Sequence, residues 1–434
     1  MNTLDIITKK RDGGSLSEAE IRYLTEGCVS GEIPDYQMAA FLMAVYFRGL
    51  NREEIFALTK AMRDSGDVAD LSQVAGFKVD KHSTGGVGDK TTLIVAPIAS
   101  ACGVPVAKMS GRGLGFTGGT VDKLESVPGF RTALTRDEFV NQVNRTGIAV
   151  IGQSETIALA DKKLYALRDV TATVENMGLI ASSIMSKKLA SGSDGILLDV
   201  KWGRGAFMKT VEDARELAEL MVDIGRSAGR KTMAMITDMN QPLGRAVGNS
   251  LEVREAIDVL RGEGPADIYE LSLRLASEMI SMSLNISPEE AEARARAAVD
   301  EGRALGKFRE FVEAQGGDGG IIENPLLMGE ARFSESIRAG DNGYIEEIDA
   351  LKIGMASQHT GAGREKKEDV IDKCAGILLT RKRGDEVKTG DELCRVFAGT
   401  QEKLEQASAI CREAFEIGEN KPSGRELIEE IIGR

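Results

Sequence analysis

Residues 77–102 read FKVDKHSTGGVGDKTTLIVAPIASAC: a short β-prone run, a turn crowded with glycine, then an apolar helical stretch over 91–102. The same grammar returns at once. Val104-Pro-Val-Ala107 leads into a second glycine-rich turn, Lys108-Met-Ser-Gly-Arg-Gly-Leu-Gly-Phe-Thr-Gly-Gly-Thr120. Residues 148–151, 196–200 and 232–236 read as further buried strands, with helical periods such as Val211–Ser227 between them. Strands alternating with helices imply a mostly parallel central sheet covered on both faces. Ligands of such sheets bind beyond the carboxyl ends of strands, and both glycine-rich turns fall there.

Outside this α/β region the pattern changes. Residues 1–68 read as four short helices, two of them opened by capping-box spacings at Ser17 with Glu20 and Asn51 with Glu54. Residues 156–190 form a polar-studded helical stretch that interrupts the strand pattern, and 288–315 read as a helix rich in Ala, Glu and Arg. The tail after 336 holds short strands and turn residues such as Lys382-Arg-Gly-Asp385. The expected fold is α/β with three parts. Residues 1–68 and 156–190 make a discontinuous helical domain, 69–155 and 191–335 an α/β phosphate-binding domain, and 336–434 a C-terminal α+β domain.

At 434 residues more than one core is expected. The net charge of -13 argues against a nucleic-acid partner, though a local pocket can still be positive. Five scattered cysteines, never in a CxxC pair, fit a reducing compartment without a disulfide framework. The opening MNTLDIITKKRDGG has neither the apolar core nor the small-residue cleavage site of a secretory leader. The longest uncharged stretch, 91–107, is broken by two prolines and falls short of the ~20 residues of a spanning helix. A cytoplasmic protein with no membrane partner is expected.

The first turn is chemically a phosphate cradle. Small residues let backbone amides approach an anion, the following helix aims its positive end there, and Lys81, Ser83 and Thr92 add donors. It is not a P-loop, because Thr84 stands at the first glycine position and Asp89 precedes Lys90. Gly113, Gly115 and Gly118 satisfy GxGxxG, but no ribose-binding acid follows at a strand end. A tight strand–helix connection would explain one such loop as well; two of matching chemistry at adjacent strand ends favour a shared anion site. Only two histidines occur. His82 lies in the anion loop and, with an ordinary pKa of about 6.5, could donate a proton near neutrality. His359 reads as structural or exposed.

DKHSTGGVGD and SGRGLG-TGGT-DKLES-PGF, followed by Tyr165-Ala-Leu-Arg-Asp169, Ser183-Ile-Met-Ser-Lys187-Lys188, Asp199-Val-Lys-Trp-Gly203 and Thr237-Asp-Met-Asn-Gln241, resemble the thymidine and pyrimidine-nucleoside phosphorylase family over essentially the whole chain. The resemblance implies a homodimer whose active site lies between helical and α/β domains. It implies reversible phosphorolysis of uridine, deoxyuridine and thymidine, with inorganic phosphate as co-substrate and no organic cofactor. It assigns phosphate to Lys81, Ser83, Thr92, Lys108, Ser110 and Thr120. It assigns the pyrimidine to Tyr165, Arg168, Ser183 and Lys187, with His82, Arg168 and Lys187 as the catalytic set. Relatives also hold a monovalent cation, potassium, near Gly88, Lys90, Leu243, Ala246 and Glu255.

Taken singly, these residues have plainer readings. Arg168 could pair with Asp161 or Asp169, Ser183 could cap a helix, and Lys187 with Lys188 could form a solvated face. Two positions depart from the family pattern. Lysine stands at position 90 where a smaller residue is expected; use of its carbonyl alone would be tolerable, whereas its ammonium nearby would weaken the cation site. Phe116 replaces the usual histidine, so altered loop closure or substrate preference is expected, and Leu114 beside it is a further pocket candidate. The rival readings are a strict thymidine phosphorylase, a magnesium-dependent phosphoribosyltransferase of similar architecture, and a silent binding protein on the same scaffold. Loss of charged or hydroxyl site residues would mark the last, and none is lost.

Overall fold

The computed structural model describes every residue of the chain except 114, 117, 155, 365, 367 and 368. The first segment forms helices Thr3–Arg11, Glu18–Ser30, Asp35–Arg48 and Arg52–Asp64. Both expected capping boxes close: Ser17 and Asn51 accept the amides of Glu20 and Glu54, whose carboxylates return to the cap amides. Amides at a helix start have no partner within the helix, which is why this spacing marks a beginning. The interrupting stretch supplies helices Leu159–Thr171 and Met177–Ala190. Ala160, Leu164 and Leu179 from it share one apolar cluster with Ile21, Leu24, Leu42 and Val45, so chain segments far apart in sequence bury a common core.

The central sheet runs Val79–Ser83, Gly195–Trp202, Lys231–Asp238 and Ile428–Ile432, the first three parallel and the last antiparallel. Val106–Ser110 and Ile148–Gly152 form a separate parallel pair. The middle strand shows why its sequence is almost wholly apolar. Side chains alternate across a strand, and here Ile196, Leu198 and Val200 pack with Leu217 and Met221 on one side. Leu197 joins Ile94 and Leu275 on the other. Helices cover both faces, leaving no solvated side.

Three details depart from expectation. Strand Val79–Ser83 extends into the presumed loop, so Lys81 and His82 are strand residues. The helix expected over 288–315 divides into Pro288–Asp300 and Arg303–Ala314 around Gly302, whose φ of 72° suits glycine. The tail is also woven into the rest. Its last strand, Ile428–Ile432, joins the central sheet, and Gly376–Leu379 pairs with Ala246–Val247. No helix among the described residues is long and apolar enough to cross a membrane.

Candidate active site

A cavity of about 360 Å³ opens beyond the carboxyl ends of Val79–Ser83 and Val106–Ser110, facing helices Leu159–Thr171 and Met177–Ala190. His82, Ser83, Thr92, Lys108, Ser110 and Thr120 line one wall, and Tyr165, Arg168, Ser183 and Lys187 the other. Of the expected phosphate and base residues, only Lys81 does not line it.

Lys81 lies beneath the floor. Its ammonium donates to Thr91 Oγ1 and stands 3.1 Å from Asp199 Oδ2 and 4.0 Å from Asp89 Oδ1, with the side chain 3% exposed. Lys108 contacts Asp80 Oδ1 at 3.2 Å, while Lys188, on the helical wall, takes the other oxygen of that carboxylate at 2.7 Å. Burial works to raise the Asp80 carboxyl, but Lys108 and Lys188 hold it below its usual range. Burial pushes Lys108 down to about 8, with Asp80 opposing. Lys201 meets Asp199 through both oxygens at 2.9 Å. The four lysines 81, 108, 188 and 201 thus share three aspartates, 80, 89 and 199; the strand wall alone balances, and the one positive charge in excess comes from Lys188 of the helical wall.

Sequence reasoning missed Asp80, Asp199 and Lys201. Charged residues two apart within an otherwise apolar strand, as in Leu198-Asp199-Val200-Lys201, were the available signal, because such charges are buried only when paired. It also misjudged the helix start. Asp89 accepts the Thr91 amide at 3.3 Å and its hydroxyl at 2.5 Å, so a carboxylate already answers the positive end of Thr91–Ala101. Burial opposes that charge, yet Lys81, Lys201 and Lys123 keep Asp89 well below the carboxylate range. The donors left on this wall of the cavity are the hydroxyls of Ser83, Thr92, Ser110 and Thr120, with Lys108. Those loops pack closely: a Cβ at Gly119 would lie 2.1 Å from the Gly113 nitrogen.

On the helical wall, Arg168 pairs directly with neither Asp161 nor Asp169. It donates to the carbonyls of Thr173 at 3.1 Å, Leu179 at 3.1 Å and Val174 at 2.5 Å. A guanidinium has five N–H donors, so two remain. Lys187 reaches Asp161 Oδ2 at 2.6 Å and Ser183 Oγ at 3.1 Å, and Lys188 is buried rather than solvated. The two cations flank Tyr165, 5.7 Å (Arg168) and 6.0 Å (Lys187) from its ring centre, at the edge of cation–π range.

His82 keeps partial exposure as a residue, yet its Nε2 is shut from solvent and has no hydrogen-bond partner among the described residues. Burial, then Lys188, Lys108, Lys81 and Lys187, hold its pKa well below the ordinary value. Both causes disfavour the protonated ring that the sequence reading expected. Phe116 packs near Gly354 and lies 6.4 Å from the ring of Phe207, a cavity residue. Leu114 is outside the described residues. Gly88, Lys90, Leu243, Ala246 and Glu255 are brought together, with the ammonium of Lys90 donating to Leu243 O at 2.9 Å, Ala246 O at 3.0 Å and the Glu255 carboxylate.

Three family descriptions match in sequence order: glycosyl transferase family, helical bundle domain, over 4–66; glycosyl transferase family, a/b domain, over 75–305; and pyrimidine nucleoside phosphorylase C-terminal domain over 344–418. The pyrimidine-nucleoside phosphorylase of Geobacillus stearothermophilus is 54% identical over 93% of both chains. That of Staphylococcus haemolyticus is 53% identical over 96% of both. An anthranilate phosphoribosyltransferase structure from Thermus thermophilus shares the fold, with a TM-score of 0.56 and 18% identity, covering 73% of this chain and 99% of its own. The chain belongs to the pyrimidine-nucleoside phosphorylases of the glycosyl transferase family.

Proposed function

We propose that this protein splits uridine, deoxyuridine and thymidine with inorganic phosphate, reversibly, to free base and (deoxy)ribose 1-phosphate. One observation carries the reading: a single cavity has a hydroxyl-and-lysine wall at two strand ends and an Arg–Lys–Tyr wall on helices opposite. Hydrogen phosphate is held by Ser83, Thr92, Lys108, Ser110 and Thr120, with Lys81 supporting the floor through Thr91 and Asp199. Its oxygen attacks the anomeric carbon as the C–N bond breaks, and that bond's electron pair leaves with the pyrimidine. Arg168, through its two remaining donors, and Lys187 stabilise the charge on the base carbonyl oxygens. His82, which lines the cavity between the two walls, lies against the base. The proton of hydrogen phosphate ends on the base, which balances the exchange.

Phosphate and base residues belong to different domains in this reading, the helical one formed by 1–68 with 156–190, so closure brings the reactants into line. Holding them in line supplies a proximity advantage of up to ~7–11 kcal/mol. The protein acts in the cytoplasm as a homodimer, for which Tyr36 and Phe47, exposed at 75% and 76% and three helical turns apart, supply an apolar face. Potassium is left out of this proposal, because the ammonium of Lys90 already engages the acceptors expected to hold it.

Ultraviolet-monitored cleavage of uridine and thymidine, each with and without phosphate, tests the whole. Phosphate-dependent release of both bases is expected. Thymidine cleavage alone would narrow the enzyme, and a folded protein that cleaves neither would refute the proposal.

A further inference from the structure

The ammonium of Lys90 sits at the junction of three chain segments. All three of its N–H donors are spent, on Leu243 O at 2.9 Å, Ala246 O at 3.0 Å and the Glu255 carboxylate, and its side chain is 0% exposed. Glu255 is equally engaged, its Oε1 accepting the amides of Arg245 at 2.8 Å and Ala246 at 3.2 Å. The surrounding backbone closes tightly. A Cβ at Gly244 would lie 2.3 Å from Glu255 Oε2 and 2.9 Å from Lys90 Nζ, and one at Gly88 would lie 2.5 Å from Leu243 O. The acceptors that would face a monovalent cation thus face a lysine, and a second cation among them would meet a like charge at contact distance. The donor set does not fit potassium in this chain.

We propose that Lys90 is a built-in substitute for a monovalent cation: its ammonium fixes the glycine-rich loop against residues 243–255, so the protein needs no such ion. The placement explains why this position affects the anion site without touching it. Lys90 follows Gly85, Gly86 and Asp89, which line the cavity, and directly precedes helix Thr91–Ala101. The Leu243 amide donates to Val87 O at 3.0 Å, and Lys123, paired with Glu252, donates to Asp89 O at 2.7 Å. Lys90 is therefore a positioning residue that acts through the loop. Its effect on turnover rests on the phosphorylase reading; the ion independence of the fold does not.

The wild-type protein, dialysed into tetramethylammonium buffer, is titrated with potassium, ammonium or sodium chloride to about 0.1 M at matched ionic strength. Melting temperature and the KM for phosphate are expected to stay constant. A rise in melting temperature specific to one small cation would mean that the protein binds that ion, and would overturn the proposal. Lys90→Ala leaves the two carbonyls and Glu255 without a cation. It is expected to melt lower and to raise the phosphate KM about tenfold, with a smaller change in kcat. Potassium or ammonium should restore both quantities and tetramethylammonium neither. A folded Lys90→Ala indistinguishable from wild type, or impaired beyond rescue by any small cation, would refute the substitution. If the variant does not fold, the wild-type melting titration still decides.

Discussion

The two walls of the cavity hold their cations in different ways. On the strand wall, Lys81, Lys108 and Lys201 are tied to Asp80 and Asp199, carboxylates buried within neighbouring strands. On the helical wall, Arg168 hangs from the carbonyls of Thr173, Val174 and Leu179, and Lys187 pairs with Asp161. The stretch that carries those carbonyls begins at Ala172, whose φ of 54° is a conformation alanine adopts at some cost. Charges crosslinked between neighbouring strands are preset, whereas cations on two helices joined by a short turn can be repositioned. In the proposed function the strand wall, which takes phosphate, is the preset side, and the helical wall, which takes the base, is the side that adjusts. Lys188 breaks the pattern, reaching from the helical wall to Asp80.

The largest expected effect follows from that exception. Asp80→Asn leaves Lys108 and Lys188 buried against a neutral amide, and breaking a buried pair costs about 3–5 kcal/mol. Denaturant unfolding should show a loss of that order; less than about 1 kcal/mol would mean that the walls are not coupled through Asp80. Next comes Lys187→Met, which removes charge stabilisation from the departing base. It should lower kcat/KM by roughly 10²–10³ and also lower the melting temperature, since Asp161, 3% exposed, loses its ion-pair partner. An unchanged kcat/KM would remove Lys187 from the stabilisation of the base.

A smaller effect separates binding from folding. Burial depresses Lys108 to about 8 from an ordinary lysine value. As pH rises through 8 the ammonium is lost, so kcat/KM for phosphate should fall over pH 8–10, where phosphate remains a dianion. The stability term has the opposite sign: the unfolded chain binds the proton more tightly, so the contribution of Lys108 to stability rises across the same window. Lys108→Arg keeps its charge throughout and should flatten the activity profile. A wild-type profile flat to pH 10 would place the charge on phosphate elsewhere.

Much of this arrangement could be read from local signals. The strand at 196–200 is an apolar run broken only by Asp199, and Ser17 with Glu20 marks a helix start by spacing alone. Partners distant in sequence were not readable. Lys90 meets Leu243 across 153 positions, and Lys188 meets Asp80 across 108. Whether such lysines face solvent or a carboxylate depends on tertiary packing, which periodicity does not encode. Lys81 reads as a loop residue, whereas its strand runs to Ser83, a boundary set by pairing with Gly195–Trp202 rather than by any preference of Lys81 or His82. Arg168 lines the cavity from the helical side, but its backbone partners depend on the turn at 172–176, which has no distinctive sequence.

The smallest expected effect tests the strand wall where it meets the tail. Phe116 packs against the apolar core near Gly354 and lies tilted by 39° against Phe207. An aromatic pair of this kind contributes about 0.5–1.5 kcal/mol beyond its buried area. Phe116→His should therefore destabilise the protein by a comparable amount. It also places a polar group beside the anion loop, at the edge of a ring that lines the cavity. Activity should persist, with the KM for phosphate or the uridine-to-thymidine preference moving severalfold, a change worth about 1 kcal/mol. A variant that loses stability but keeps every kinetic constant would make Phe116 a packing residue. The strand wall would then be insulated from its neighbours, as a crosslinked set of buried charges should be.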